Sequence, residues 1–272
     1  MAEPLAIIDK PFALMGIVNV TPDSFYDGGM HNTLASAVDH ALKLRDEGAD
    51  ILDIGGASSR PGAKELTASE EIRRVVPVVE KVAAFFDGPI SVDTTWVEVA
   101  KAALEAGASW INDISSGRFD QTMPQFASDH KCVMVLMHSR GTPQTMQHFT
   151  NYESLVQNVC SELLDSVKKF ENAGVEKEKI ILDPGIGFAK TAEQNVTLLR
   201  EIRTIADLGF PVLLGTSRKA FIGKITGKSV ENRLYGSLAT VGSAFLRGVK
   251  IFRVHDVSQT RDFLNVLSEI EN

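Results

Sequence analysis

Apolar residues recur along this chain in two alternating rhythms. Short unbroken runs, each closed by a polar residue and a turn, read as strands buried on both faces; between them apolar residues return at helical spacing. Residues 13–20 (ALMGIVNV) form the first run, ending at Asn19, and 34–47 follow as a helix with Leu34, Val38 and Leu42 on one side and Gly48 as its stop. The second run, 50–54, closes on Gly55-Gly56-Ala57-Ser58-Ser59-Arg60-Pro61-Gly62. A longer helix is predicted over 68–86, where Pro77 is expected to bend or split it. Residues 89–92 run into Asp93, and a helix over 96–106 stops at Gly107. Residues 109–111 run into Asn112, and a short helix over 123–128 precedes the run 132–137, which ends at His138. After a polar loop over 139–151, Leu155, Val159, Leu163, Val167 and Phe170 mark a long amphipathic helix. Residues 180–183 (IILD) stop abruptly at Pro-Gly-Ile-Gly, and a helix over 192–205 follows. Residues 211–214 lead into Gly215-Thr216-Ser217-Arg218-Lys219 and helical sequence over 220–246. Residues 250–254 carry Arg253, with His255 just beyond, and a last helix closes near Ile270.

Eight strand–helix units with short connections predict an α/β protein. One domain over residues 1–272 that alternates eight times favours a closed (β/α)8 TIM barrel over an open doubly wound sheet. The length of 272 residues suits that fold. A net charge of −7 argues against a general nucleic-acid binder, which needs a basic face. Cys132 and Cys160 lack metal-ligand spacing and fit a reducing compartment. No apolar run reaches the ~18 residues of a membrane span. No basic-then-apolar leader is legible at the N-terminus, so the expected location is the cytoplasm.

In such a barrel the chemistry sits at the C-terminal ends of the strands. The residues delivered there are Asn19, Asp53 with Ser59 and Arg60, Asp93, Asn112, His138, Asp183, Ser217 with Lys219, and Arg253 with His255. Any one of them reads equally well as a cap or a turn residue. A polar group from nearly every strand makes a converging site the better reading. Asp93, Asn112 and Asp183 suit a planar ligand rich in N–H donors and ring nitrogens. Arg60, Ser217, Lys219, Arg253 and His255 suit anions, and barrels commonly gather phosphate at the loops after strands seven and eight. An N-heterocycle carrying phosphate is the implied ligand class.

Other motifs fail on context. Gly185-Ile-Gly187 lacks the third glycine of a dinucleotide fingerprint, where Lys190 stands instead. GKITGKS at 223–229 is one residue short of a phosphate loop and lies in helical sequence. The histidines form no HxxxH pair; His40 and His130 are expected at the surface, and His138 is expected to bond the rim.

MGIVNVTPDSFYDGG, DIGGASSRPGA, SVDT, INDISSG, MVLMHSRGTP, LDPGIGFAK, LLGTSRKAFIG and FRVHDV, in this order, closely resemble the motifs of dihydropteroate synthases over nearly the whole chain. The resemblance implies a homodimeric barrel enzyme that joins p-aminobenzoate to 7,8-dihydropterin-6-ylmethyl diphosphate with Mg²⁺, the target of sulfonamides. It implies that Asp93, Asn112, Asp183 and Lys219 hold the pterin, with Ile114, Met137 and Phe188 lining its slot and Gly215 and Ser217 beside it. Arg253 and His255 would take the diphosphate, with Asn19 toward the metal. Phe25 and Asp27 would lie on a first loop, and Ser59, Arg60 and Pro61 on a second, both closing over p-aminobenzoate. Asp93, Asp183, Lys219, Asp27 and Arg60 are the residues it marks for catalysis.

The chain departs from the common pattern in three places. Ala57 and Ser59 stand where many members have Glu and Thr, and Ala220 replaces a serine whose hydroxyl would face the p-aminobenzoate carboxylate. The competing readings are a pterin-binding methyltransferase serving a corrinoid, which has no need of the Arg253-x-His255 pair, and a pterin-binding relative without activity.

Overall fold

Inward and outward faces alternate along every strand, and that alternation builds the barrel. In a computed structural model, which describes residues 6–20, 30–57 and 66–271, the eight runs form one parallel sheet. The strands are β1 (Ala13–Asn19), β2 (Ile51–Gly55), β3 (Ile90–Asp93), β4 (Trp110–Asp113), β5 (Val133–Met137), β6 (Ile180–Asp183), β7 (Leu213–Leu214) and β8 (Ile251–Val254). Their order is β6-β5-β4-β3-β2-β1-β8-β7. A parallel bridge between Leu182 and Val212, with Leu182 N–H donating to Pro211 O at 2.9 Å, joins the two ends and closes the barrel. β7 keeps only two ladder residues of the predicted 211–214, and its remaining pairing is that single bridge.

Met15, Ile51, Trp110, Val135, Ile181, Leu213 and Ile251 fill the lower interior as one apolar cluster. Two residues further along their strands, on the same face, stand Ile17, Asp53, Asn112, Met137, Asp183, Gly215 and Arg253. Period two thus turns an apolar plug into a polar rim. The intervening residues, among them Leu14, Leu52, Ile54, Val92, Ile111, Leu136, Leu182 and Phe252, face outward into a larger core shared with the helices.

Ten helices cover the barrel among the described residues: α1 (Met30–Asp46), α2 (Ala68–Ala83), α3 (Val97–Glu105), α4 (Met123–His130), α5 (Leu155–Asn172), α6 (Ala192–Arg200), α7 (Ile202–Ala206), α8 (Ala220–Thr226), α9 (Leu234–Phe245) and α10 (Val257–Glu271). Pro77 does not split α2. Val75, Val78, Val79 and Val82 bury one face, and a capping box between Thr67 and Glu70 fixes the start, so one missing backbone bond is outweighed. The predicted helix over 192–205 breaks at Glu201, and helical sequence over 220–246 resolves into α8, a 3-10 turn (Val230–Asn232) and α9. The polar loop over 139–151 holds a 3-10 turn, Met146–His148. His130 is exposed, as expected, but His40 is half-buried, its Nε2 3.1 Å from Ile17 O.

Candidate active site

Ladder register decides which rim residues meet. Asp93 pairs in register with Asn112, and Met137 with Asp183, so those side chains share one level of the barrel mouth. One cavity at that mouth is lined by Asp93, Asn112, Ile114, Met137, Asp183, Phe188, Gly215, Ser217, Lys219, Arg253 and His255. Most of the described residues that the sequence points to are thus brought together from six strands and their following loops, but Asp53 and His138 do not line the cavity. Ile17 and Ile186 line it too; Ile17 was legible as the inward residue two places before Asn19. Asn19 itself ends β1 in an exposed position, paired with Gly55. Phe25, Asp27, Ser59, Arg60 and Pro61 lie outside the described residues.

Asp53 does not line the cavity but lies one level below the rim, fully buried. Its Oδ1 accepts Ser91 Oγ–H at 2.6 Å, and its Oδ2 accepts both Arg253 Nε–H at 2.6 Å and Asn112 Nδ2–H at 3.2 Å. Arg253 also donates through Nη2 to Asp93 Oδ2 at 3.1 Å. One guanidinium therefore ties β8 to β2 and β3 across the barrel. Burial alone would weaken its hold on a proton, but Asp53 and Asp93 overcome that and push its pKa up. Burial lifts the Asp93 carboxyl to about 7, with Arg253 opposing and Asp53 adding repulsion. The sequence alone could not show that Asp53 supports the site from beneath, because depth in the barrel depends on its neighbours' register.

Asp183 faces Lys219 across the slot. Burial raises the carboxyl, offset by the Gly185 N–H that donates to Oδ1 at 2.7 Å and by Lys219, Lys190 and Arg253. Burial likewise lowers Lys219, to about 8, against the pull of Asp183. The Lys219 ammonium lies 4.5 Å from the centroid of the Phe188 ring, close enough for a cation–π contact. Gly187 makes this approach possible: at φ +87° it holds a backbone that favours glycine, and a Cβ there would lie 3.3 Å from Lys219 Cδ. Met137, Met146, Phe188, Ala189 and Ile114 form a small apolar cluster of their own at the rim, a flat-ring contact surface beside the carboxylates. Met146 was not anticipated; it sits in the polar loop, where no periodicity marks it.

Beyond Lys219 the anion side is equally fixed. Arg218 adopts φ +57° just before Lys219, held by its ion pair to Asp256 and by its backbone N–H to Ser237 Oγ at 2.9 Å. His255 donates its backbone N–H to Ser217 Oγ at 3.2 Å, with Nδ1 3.0 Å from the same oxygen. Burial, helped by Arg253, pulls His255 down to about 4, so the ring is neutral near pH 7.

His138 is not a rim residue but a buried one, and its Nε2 lies 3.1 Å from Glu162 Oε2. Burial first, then the Lys190 cation, depress it to about 4 from 6.5. The unfolded chain thus binds more protons than the folded one between those values, so stability is lost as pH falls from 6.5 toward 4. Urea unfolding at pH 7.5 and pH 5 should reveal about 2 kcal/mol of loss from this residue. A His138→Gln variant should show a correspondingly flatter dependence; an unchanged slope would refute the assignment.

Among the described residues no group of three or more His, Cys, Asp or Glu gathers to hold a metal. No helix among them is long and apolar enough to cross a membrane. The family model of pterin binding enzymes matches residues 15–255. The dihydropteroate synthase of Synechocystis is 48% identical over 90% of this chain and 85% of its own length. The Xanthomonas albilineans dihydropteroate synthase structure with 4-aminobenzoic acid superposes with a TM-score of 0.91 at 44% identity, covering 97% of this chain and 94% of that one. Its complex with 7,8-dihydropteroate gives 0.88 at 42% identity, over 97% and 95%.

Proposed function

The chain belongs to the dihydropteroate synthase family of pterin binding enzymes, and from that membership we infer its reaction. It is a transferase that condenses p-aminobenzoate with 7,8-dihydropterin-6-ylmethyl diphosphate, giving 7,8-dihydropteroate and diphosphate. The observation that carries this reading is the single mouth where Asp93, Asn112, Asp183 and Lys219 face Arg253 and His255. Acid and amide groups there suit the ring's N–H donors, and cationic ones suit the leaving group.

The chemistry breaks the carbon–oxygen bond at the pterin methylene and forms a carbon–nitrogen bond in its place. An aromatic amine is neutral near pH 7 but weakly nucleophilic, which favours departure of diphosphate before attack. The bonding pair leaves with diphosphate, and electron release from the dihydropterin stabilises the cation that remains. The amine lone pair closes the new bond, and its proton goes to diphosphate or solvent without a dedicated base.

In this reading Asp183 and Lys219 grip the ring edge and Phe188, Met137 and Ile114 its faces. Asp93 and Asn112 complete the edge contacts, with Asp53 holding Asn112 and Arg253 in place. Negative charge from Asp93 and Asp183 beside the methylene favours the cation electrostatically. Arg253 neutralises the leaving diphosphate, and neutral His255 donates to it with its ring aligned by Ser217. Asp27 and Arg60, with Phe25, Ser59 and Pro61, are proposed to close the p-aminobenzoate side and exclude water.

Mg²⁺ fits this donor set as an ion carried in on the substrate. Asp53 and Asp93 are engaged by Arg253, so the ion would rest mainly on phosphate and water oxygens, with the Asn19 amide, which the family resemblance marks for the metal, beside it. Bound there, it would supply further neutralisation of the leaving group's charge.

The protein is further proposed to act in the cytoplasm as a homodimer. Tyr235, Leu246, Val266 and Ile270 are large apolar side chains exposed along α9, α10 and the residue after α9, which supports pairing through that face. Mixing both substrates with Mg²⁺ should release diphosphate and dihydropteroate in equal amounts, and chelation should stop it. Pterin binding without release would instead favour an inactive relative, and methyl transfer to a corrinoid would favour the methyltransferase. Light scattering on the same preparation should give twice the chain mass; a monomer would remove the dimer.

A further inference from the structure

Behind the ring slot lies a buried cation that the reaction does not use. Lys190 ends the turn that follows β6 and is only 3% exposed. Its ammonium meets three acceptors: Gly185 O at 3.0 Å, Phe188 O at 2.9 Å and His138 Nδ1 at 2.8 Å. For Nδ1 to accept, the imidazole must carry its proton on Nε2, which then donates to Glu162 Oε2 at 3.1 Å. Arg140 closes the row, donating through Nε to the same carboxylate at 3.1 Å. With the lysine charged every group is satisfied: ammonium, neutral imidazole, carboxylate, guanidinium. The titration tendencies of His138, Glu162 and Arg140 agree. Burial works against the Glu162 carboxylate, yet His138 and Arg140 outweigh it and bring Glu162 down to about 2. Burial draws Lys190 to about 7 while Asp183 and Glu162 oppose.

The turn tied by this ammonium is a wall of the slot. Gly185, at φ +68°, is pressed so close to β5 that a Cβ would sit 1.9 Å from His138 O, and its N–H fixes Asp183 Oδ1. Phe188 N–H donates back to Gly185 O at 3.1 Å, and Ala189 follows at φ +48° with its carbonyl held by Tyr152 Oη–H at 3.0 Å. A water has two protons and could not serve three converging acceptors; an ammonium can. An apolar side chain of like volume would leave those three buried acceptors unpaired, so the lysine fixes the conformation of the turn as well as satisfying it.

We propose that Lys190 is a positioning residue for the pterin site: by binding Gly185 O and Phe188 O it sets the turn that presents the Asp183 carboxylate and the Phe188 ring, and the His138–Glu162–Arg140 row holds it there. The proposal rests on the dihydropteroate synthase reading, because the ligand it serves is the pterin half of that reaction.

Calorimetric titration with 7,8-dihydropterin-6-ylmethyl diphosphate and Mg²⁺, without p-aminobenzoate, tests it on the full chain. Lys190→Met should weaken binding at least tenfold and raise KM for the pterin substrate to match, with KM for p-aminobenzoate within twofold of wild type. A purely structural lysine would instead lower Tm and leave Kd and KM of the folded molecules unchanged, which overturns the proposal. Should Lys190→Met fail to fold, Glu162→Gln decides: a higher KM for the pterin substrate supports the role, and an unchanged one overturns it. Failure of the wild type itself to bind the pterin diphosphate would count against the family reading and not against this step.

Discussion

Asp183→Asn should lower kcat/KM about a thousandfold, about 4 kcal/mol of transition-state stabilisation, while the protein stays folded. The size follows from two charge-assisted bonds to ring N–H groups, each contributing about 1.5–3 kcal/mol, being replaced on one side by an amide N–H that faces a donor. The fold should survive because asparagine keeps an oxygen for Gly185 N–H, the bond now made at 2.7 Å. Thermal stability should hold or rise, since burial already disfavours the charged carboxyl. Steady-state kinetics beside a melting curve separate these effects. A variant retaining more than a tenth of wild-type kcat/KM would remove Asp183 from its role.

Arg253→Met should strike both stability and turnover, for different reasons. The fully buried Asp53 and its rim partner Asp93 would lose their shared guanidinium, and breaking such a pair typically costs about 3–5 kcal/mol. We expect about 3 kcal/mol, near the lower end, because Asp93 sits at about 7 and can take up a proton to relieve the unpaired charge. Turnover should fall a further 10²–10³-fold, the usual effect of losing one donor to developing negative charge. Adding Asp53→Asn separates the two consequences. Its amide N–H can face Ser91 and its oxygen Asn112, so stability should largely return while turnover stays low. Restored turnover in that double variant would mean that Arg253 serves only to neutralise Asp53, and the diphosphate role would be withdrawn.

The site was legible to unequal depth. Asp93, Asn112, Asp183, Lys219, Arg253 and His255 each follow an apolar run or close one, and a strand that ends on a polar residue delivers it to the rim. Asp53 looked equivalent to them, yet it lies one level lower because Gly55, not Asp53, pairs with Asp93. Lys190 looked like a failed glycine position; its contact with His138, 52 residues away, has no local signature. Pro77 suggested a break that valine packing prevents, and β7 reads as longer than the two residues its ladder keeps.

The sequence by itself determined the eightfold alternation, the order of the elements and the residue types offered at the mouth, because periods of two and 3.6 and the residues that stop them act locally. Only the tertiary structure decided which of those residues touch. Ladder register sets their depth, barrel closure sets who lies opposite whom, and side chains such as Arg253 and Lys190 bridge strands far apart along the chain. Those are long-range constraints, and no local pattern encodes them.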